Sequence, residues 1–488
     1  MSDAPAGPGR GATLKASVWT VAGFGGSQVI RFIGNLILTR LLFPEVFGLA
    51  ALVSIFIQGL WMFSDIGTGP AIIQSPHGDD ERFLNTCWTI QIVRGVALWL
   101  LSCAIAAPVA SIYGQPLLAW LIPVSGLNAV LNGLEATSMH TAVRRLQLPR
   151  VVIVELVSQV VNIVAIIVGA LAWRSAIGTQ DPRVVWVVVG GTLLGNLVRL
   201  VLTHTYLDHI RHRLLVDRHW LRTQLAFGRW ITLSTILTFL SNQSDRLLFG
   251  KLIPIEVLGV YNIAATLAMM PTQALDALGS RVLLPTFSRH AREEGFDRVF
   301  ARVRLPLLLG GAAMVSGLVG GGPFLVRVLY DSRYWEAGWI VQFLALGAWF
   351  QIIESSNGAV LLAMGHSRWK AAVGGAKFLG LVAFVPLGFH LDGFRGALLG
   401  LVASDVLRYA TSTAGILRCG LRPHVMDAML TALVGTVSAL AWFAGRGLVG
   451  AHERSVLPLL AAATVVGLTW GSAGLWYLAR KRREAATA

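Results

Sequence analysis

Charged side chains are scarce in this chain: Asp, Glu, Lys and Arg make up 13% of its 488 residues, against 55% hydrophobic. A water-soluble protein of that length needs far more polar surface, so a soluble globular fold is excluded and a bilayer is the natural solvent. Cysteine is scarcer still, at three. Cys87, Cys103 and Cys419 are spaced too unevenly for a disulfide framework or a zinc site. A phosphate-binding loop, an HExxH helix and a nucleophile elbow are all missing, so no metal, cofactor or catalytic residue is expected. No polar block is long enough to fold as a separate catalytic domain. Acidic residues are outnumbered 25 to 40 by basic ones, for a formal net charge of +15. The basic residues are scattered over short loops without an aromatic-flanked stripe, which argues against a nucleic-acid partner. The N-terminus lacks a charged region, short apolar core and small-residue cleavage site, and its first apolar stretch carries Arg31, so removal of a leader is not expected.

What is abundant is apolar sequence in windows of roughly twenty residues, the length that crosses a bilayer as helix. Breaks between them predict helices near 15–42, 45–73, 84–112, 116–142, 149–173, 183–207, 224–250, 255–286, 301–330, 335–364, 369–389, 394–417, 424–445 and 455–479. The reading is an all-α integral membrane protein with about fourteen transmembrane helices. Alternation then collects Arg82, the Arg144–Arg150 cluster, Arg211 to Arg222, Arg289 to Arg304, Arg368 with Lys370, Arg418 with Arg422, and Arg480 to Arg483 on one side. The positive-inside rule makes that side cytoplasmic and puts both termini there.

An internal repeat is visible. Arg40-Leu-Leu-Phe-Pro-Glu-Val-Phe-Gly48 aligns with Lys251-Leu-Ile-Pro-Ile-Glu-Val-Leu-Gly259, and the same offset places Asp65 on Asp276. The two segments lie an even number of spans apart, so both copies enter the membrane in the same orientation. Two lobes related by an axis along the membrane normal follow, with a substrate site between them as in transporters built this way.

Ionisable groups near the bilayer centre cost roughly 2.5–3.5 kcal/mol each unless they meet water or a partner. This chain holds many, so most must snorkel, pair or line a wet cavity. Residues three or four apart share a helix face. Gln28, Arg31 and Asn35 form one polar stripe and Gln91 with Arg94 another; Asn128, Asn132 and Glu135 form a third, and Glu155, Gln159 and Asn162 a fourth. Such stripes serve either interhelical hydrogen bonding or a cavity, and for Arg31 and Arg94 the cavity is preferred. Arg199, Arg229 and Arg327 lie near helix ends, where snorkelling is the default. Asp405 and Arg408 are spaced to pair with each other. Asp245 and Arg246 are adjacent and must point in different directions. Asp65, Asp245, Asp276, Glu135 and Glu354 are candidates for ion coupling or gating, because a carboxylate whose access to water changes can change protonation. His209, His212 and His219 fall in a basic loop that reads as solvated.

Three motifs carry a family resemblance: Phe63-Ser-Asp-Ile-Gly-Thr-Gly-Pro-Ala-Ile-Ile-Gln74, Ser241-Asn-Gln-Ser-Asp-Arg-Leu-Leu-Phe-Gly250, and Leu258-Gly-Val-Tyr-Asn-Ile-Ala-Ala265. With Pro285-Thr-Phe-Ser-Arg289 they resemble the Wzx-type polysaccharide flippases of the multidrug/oligosaccharidyl-lipid/polysaccharide exporter superfamily. Thr68 and Pro70 depart from the usual form of the first motif and leave the local bend of that helix open. The resemblance implies a V-shaped bundle of two six-helix lobes related by a pseudo-two-fold, with two further C-terminal helices. In this sequence that gives a cytoplasmic tail 1–14, an N-lobe 15–208, a basic inter-lobe loop 209–223, a C-lobe 224–418, two helices within 419–479 and a basic tail 480–488. It also implies transport rather than catalysis in the inner membrane, the substrate being an undecaprenyl-diphosphate-linked oligosaccharide and the partners a polysaccharide polymerase and co-polymerase. Combined with the embedded cations, it makes Arg31, Arg94 and Arg246, with Gln28, Asn35 and Gln91, the candidate diphosphate site. A cation-coupled multidrug or small-molecule antiporter of the same superfamily is the alternative within transport; a membrane polymerase or ligase of lipid-linked sugars is the alternative outside it.

Overall fold

A computed structural model describes residues 10–487 apart from 65, 179–180, 208–211, 292, 294 and 449–455. The described chain is helical throughout, as its apolar runs require, because a backbone in hydrocarbon must satisfy its own hydrogen bonds. It divides into two compact units, Met1–Phe239 and Leu240–Ala488. The division falls inside one helix, whereas the sequence reading places the lobe boundary in the loop 209–223.

The N-terminal unit contains α1 (Arg10–Leu41), α2 (Pro44–Phe63), α3 (Thr68–Gln74), α4 (Glu81–Tyr113), α5 (Leu118–Leu134), α6 (Ser138–Arg144), α7 (Leu148–Ala176), α8 (Val185–Thr205) and the first half of α9 (Arg218–Leu252). Its helices pack as α1 on α7, α7 on α8, α8 on α5 and α5 on both α4 and α2. The α4–α5 contact is close because glycines face backbone: a Cβ on Gly95 would lie 2.4 Å from the Ala129 carbonyl oxygen, and one on Gly133 2.7 Å from that of Gln91.

The C-terminal unit holds the rest of α9, then α10 (Ile255–Ala268), α11 (Met270–His290), α12 (Phe296–Leu329), α13 (Ala337–Ala363), α14 (Ser367–Arg418), α15 (His424–Arg446) and α16 (Leu457–Thr487). α13 is its hub, contacting α10, α11, α12 and α14, while α15 and α16 pack on α12 and on each other. Leu308, Val315, Trp349, Ile352, Val434 and Trp470 form the apolar core that joins these helices.

Ten helices among the described residues are long and apolar enough to cross a membrane. All fourteen expected windows fall on helix, but several are built differently from the expectation. The windows 369–389 and 394–417 are the two arms of α14, folded back at Asp392 and Gly393, whose φ of 55° and ψ of −139° is open to glycine alone. The window 45–73 is broken, since α2 stops at Phe63 and α3 starts only after Gly67, which sits at φ 68°. The window 116–142 breaks at Glu135, whose extended ψ of 140° separates α5 from α6. The window 255–286 divides at Met269, ahead of Pro271 in the first turn of α11. The repeat has a structural counterpart: in both copies a long helix ends two or three residues before a proline, at Leu41 or Leu252, and a new helix starts at or just after that proline, at Pro44 or Ile255.

Candidate functional site

Where a helix ends, its last carbonyl groups lose their intrahelical partners, and side chains can take over. Much of the polar architecture of the N-terminal unit does this work. At the end of α2, Arg94 of α4 donates from Nη2 to the Trp61 carbonyl at 2.9 Å and from Nε to Ser64 Oγ at 2.8 Å, with its guanidinium 4.8 Å from the Trp61 ring centroid. At the end of α3, Arg144 donates to the carbonyls of Ile72, Ile73 and Ser75 and pairs with Asp79. At the end of α5, the Leu134 carbonyl accepts from Trp88 Nε1 at 3.3 Å and lies 2.9 Å from His204 Nε2.

Around these breaks lies a cavity of about 490 Å³ lined by Trp61, Thr68, Gln91, Arg94, Asn132, Glu135, His140 and Arg199. Gln91, Arg94 and Glu135 are thus brought together as candidates for one site. Glu135 is ion-paired with Arg199 of α8, Nε to Oε1 at 3.1 Å. Arg199 therefore does not snorkel to a headgroup, contrary to the sequence expectation, because an internal carboxylate is within its reach.

A second cavity of the same unit, about 450 Å³, is lined by Ser27, Arg31, Glu155, Gln159, Asn162, Asn196 and Arg199. Arg31 is exposed and donates to Ser27 Oγ at 3.1 Å, while Ser27 in turn donates to Gln159 Oε1 at 2.8 Å. Arg31 and Arg94 thus occupy separate cavities, with Arg199 and Asn196 common to both. Gln28 and Asn35 share the α1 stripe but line neither one.

The C-terminal unit has its own cavity, about 420 Å³, and Asp245, Arg246, Asp276 and Glu354 all line it. Arg246 donates to Gln243 Oε1 at 3.2 Å, and Asp245 accepts the Tyr261 hydroxyl at 2.5 Å. Asp276 is exposed and accepts from Ser355 Oγ at 2.6 Å. Glu354 is fully buried between two cations, Lys370 Nζ at 2.9 Å and Arg408 at 2.5 Å. The expected Asp405–Arg408 pair is not formed. Asp405 instead holds the buried Lys377 ammonium at 2.6 Å, because each side chain reaches across to a facing helix arm rather than along its own. Behind the cavity, Arg304 and Asp427 are both buried and joined by two contacts of 2.8 and 3.1 Å, with Ser356 and Tyr409 completing the cluster. The topology reading sets Arg304 on the cytoplasmic side with Arg289 to Arg302; it is a buried residue of α12. Asp65 lies outside the described residues.

Sequence reasoning missed Arg199, His140, Lys370 and Lys377 as cavity-lining groups. For Arg199 the signal was present, since Asn196 and Arg199 are one turn apart on an apolar helix. The loop after α8 is also less solvated than expected. Arg213, Leu215 and Asp217 donate backbone N–H groups to Asn85, Thr89 and Thr86 of α4 at 2.9, 3.0 and 3.2 Å. His212 stacks on Trp88 and accepts the Thr137 N–H at 3.1 Å; burial, then the neighbouring His204, pushes its pKa down to about 4. His209 is outside the described residues.

Solved structures share this helical fold. Lipid II flippase MurJ in an inward closed conformation superposes with a TM-score of 0.73 at 12% identity, over 94% of this chain and 99% of that one. An inward-facing multidrug resistance MATE family transporter of the MOP superfamily gives 0.61 at 15% identity, over 80% and 94%. The fold is that of this superfamily. Residues 37–337 match the family model described as polysaccharide biosynthesis protein, and the chain belongs to that family. Curated relatives include the teichuronic acid biosynthesis protein TuaB of Bacillus subtilis (strain 168), 24% identical over 62% of this chain and 61% of its own length. The succinoglycan biosynthesis transport protein ExoT of Rhizobium meliloti (strain 1021) is 24% identical over 67% and 64%, and the lipopolysaccharide biosynthesis protein WzxC of Escherichia coli (strain K12) 22% over 81% and 79%. The chain thus spans a little under two thirds of the first two relatives.

Proposed function

We propose that this protein flips a lipid-linked oligosaccharide, the repeat unit of an exopolysaccharide, capsule or O-antigen carried on undecaprenyl diphosphate, from the cytoplasmic to the periplasmic leaflet of the inner membrane. The observation that carries this reading is a set of arginine-lined polar cavities inside the apolar bundle of a polysaccharide biosynthesis family member. A diphosphate cannot enter hydrocarbon unaided, whereas guanidinium groups kept in hydrated cavities offer it charge-assisted hydrogen bonds while the lipid tail stays outside. Arg31, Arg94 and Arg246 are the proposed contacts, helped by Gln91, with Gln28 and Asn35 on the Arg31 stripe of α1 outside the two cavities. Alternating access of an N-lobe (15–208) and a C-lobe (224–418), with both termini cytoplasmic, moves the head group. Asp65, Asp245, Asp276 and Glu135 are the proposed coupling or gating carboxylates; Glu354, held by two cations, is the most firmly fixed of the set. Polymerase and co-polymerase proteins are the partners this role calls for.

The test is export of polymer by cells carrying Arg31→Gln with Arg94→Gln. Loss of export at unchanged protein abundance is expected, and normal export removes both residues from the mechanism. The likeness to a multidrug transporter favours a second reading, cation-coupled antiport of small molecules. Dye extrusion by the purified protein, with normal polysaccharide in cells deleted for it, selects that reading instead.

A further inference from the structure

Arg199 is the charged residue common to the two cavities of the N-terminal unit, with Arg94 on one side of it and Arg31 on the other. Among the described residues its contact with Glu135 is a single one, whereas the Arg304–Asp427 pair, whose Nη1 and Oδ1 are orphaned in the same way, adds a hydrogen bond from Nη2 to Oδ2. Nε and Oε1 are 3.1 Å apart, close enough for an ion pair, yet both are buried atoms without a hydrogen-bond partner, so the two charges touch in a direction that makes no bond. Glu135 is held there by the chain rather than by Arg199, since it terminates α5 and its N–H bonds back to the Asn132 carbonyl. A guanidinium paired in this way keeps its fork of donors for a better acceptor.

We infer that Arg199 is an oxyanion contact shared by both cavities and that Glu135 is its placeholder, displaced when a ligand oxyanion arrives. This rests on the flippase reading and adds a residue and an order of events to it. Arg31, Arg199 and Arg94 then form a ladder within one unit, and an anionic group leaving Arg31 meets Arg199 before it meets Arg94. The shared chemistry is a group offering two or more acceptor oxygens, either a diphosphate or the carboxylate of an acidic sugar. Glu135 competes with that group, so it lowers resting affinity and favours release.

The full-length protein in detergent, titrated with inorganic pyrophosphate and separately with glucuronate and followed by its thermal shift, tests this. Glu135→Gln should tighten binding of at least one probe about tenfold, Arg199→Gln should weaken it by a similar factor, and Arg199→Lys should fall between. Tightening for pyrophosphate alone assigns the site to the diphosphate; tightening for glucuronate alone assigns it to an acidic sugar. A purely structural pair predicts the opposite for Glu135→Gln: both neutral variants melt lower and bind more weakly or unchanged, which overturns the inference. Glu135→Ser serves the same comparison if the glutamine variant does not fold. If neither probe binds the wild type or either Glu135 variant, the placeholder idea is lost, whereas the flippase reading is judged separately by polymer export in the Arg31/Arg94 variant.

Discussion

In the C-terminal unit the cavity is lined by four cations and three carboxylates, and Glu354 and the neighbouring Asp405 are buried and held by Lys370, Arg408 and Lys377 at 2.5–2.9 Å. In the N-terminal unit each cavity has two arginines to one carboxylate among its described lining residues, and Arg94 donates to a carbonyl and a hydroxyl. The contrast separates two uses of charge. Buried, mutually neutralised pairs fix helices relative to one another, at a desolvation cost that only good geometry offsets. Arg31, exposed and bonded to the Ser27 hydroxyl, keeps its charge available to an incoming anion. The first arrangement suits a scaffold, the second a binding surface.

The largest expected effect tests the scaffold side. Asp427→Ala leaves Arg304 buried and uncompensated and should cost about 3–5 kcal/mol, read as a lower melting temperature of the purified protein. The double change of Arg304→Met with Asp427→Leu should recover most of it, and a single-variant loss below about 1 kcal/mol breaks the distinction drawn between the units. Next comes the close α4–α5 packing, where Gly95→Ala drives a methyl into the Ala129 carbonyl and should cost about 1–3 kcal/mol, while Gly190→Ala, which meets no neighbouring atom within 4 Å, should be neutral. Arg94→Gln should cost less than the Asp427 change, about 1–2 kcal/mol for two hydrogen bonds, while impairing export more. A larger stability loss than for Asp427→Ala reverses the assignment of roles.

The smallest effect concerns the loop docked on α4. His212 in the folded protein has a pKa near 4 against an ordinary value of 6.5, so the folded state favours the neutral ring. Stability from this contact is fully present above about pH 6.5 and is lost as the pH falls towards 4, because the unfolded or undocked ring takes up the proton first. Amide exchange of residues 212–217 should therefore quicken below pH 6 in the wild type and become nearly pH-independent in His212→Gln once intrinsic exchange is corrected. The measurement also sharpens the comparison, since it shows whether the N-terminal unit is held by neutral hydrogen bonds at the loop as it is around Arg94.

Much of the fold was legible in the sequence. Apolar windows located the long helices among the described residues, and the Arg40–Gly48 and Lys251–Gly259 repeat marked equivalent corners in the two units. The breaks at Gly67 and Glu135 were not, because apolar length alone does not reveal where a membrane helix stops when side chains from other helices are ready to satisfy the freed carbonyls. The site was legible only in part. Periodicity found the polar stripes of Arg31, Arg94 and Glu135, yet spacing along one helix predicted an Asp405–Arg408 pair that the neighbouring helices replaced with Lys377–Asp405 and Arg408–Glu354.

Composition by itself determined that this chain lives in a bilayer as a helical bundle, since burying that much apolar surface and so little charge leaves no other solvent and no other backbone arrangement. Only the tertiary structure decided which cation meets which carboxylate. Ion pairing depends on a few ångströms of separation between side chains distant in sequence, and that separation is set by glycine-mediated helix approach and by helix breaks, neither of which is encoded in the spacing along any one helix.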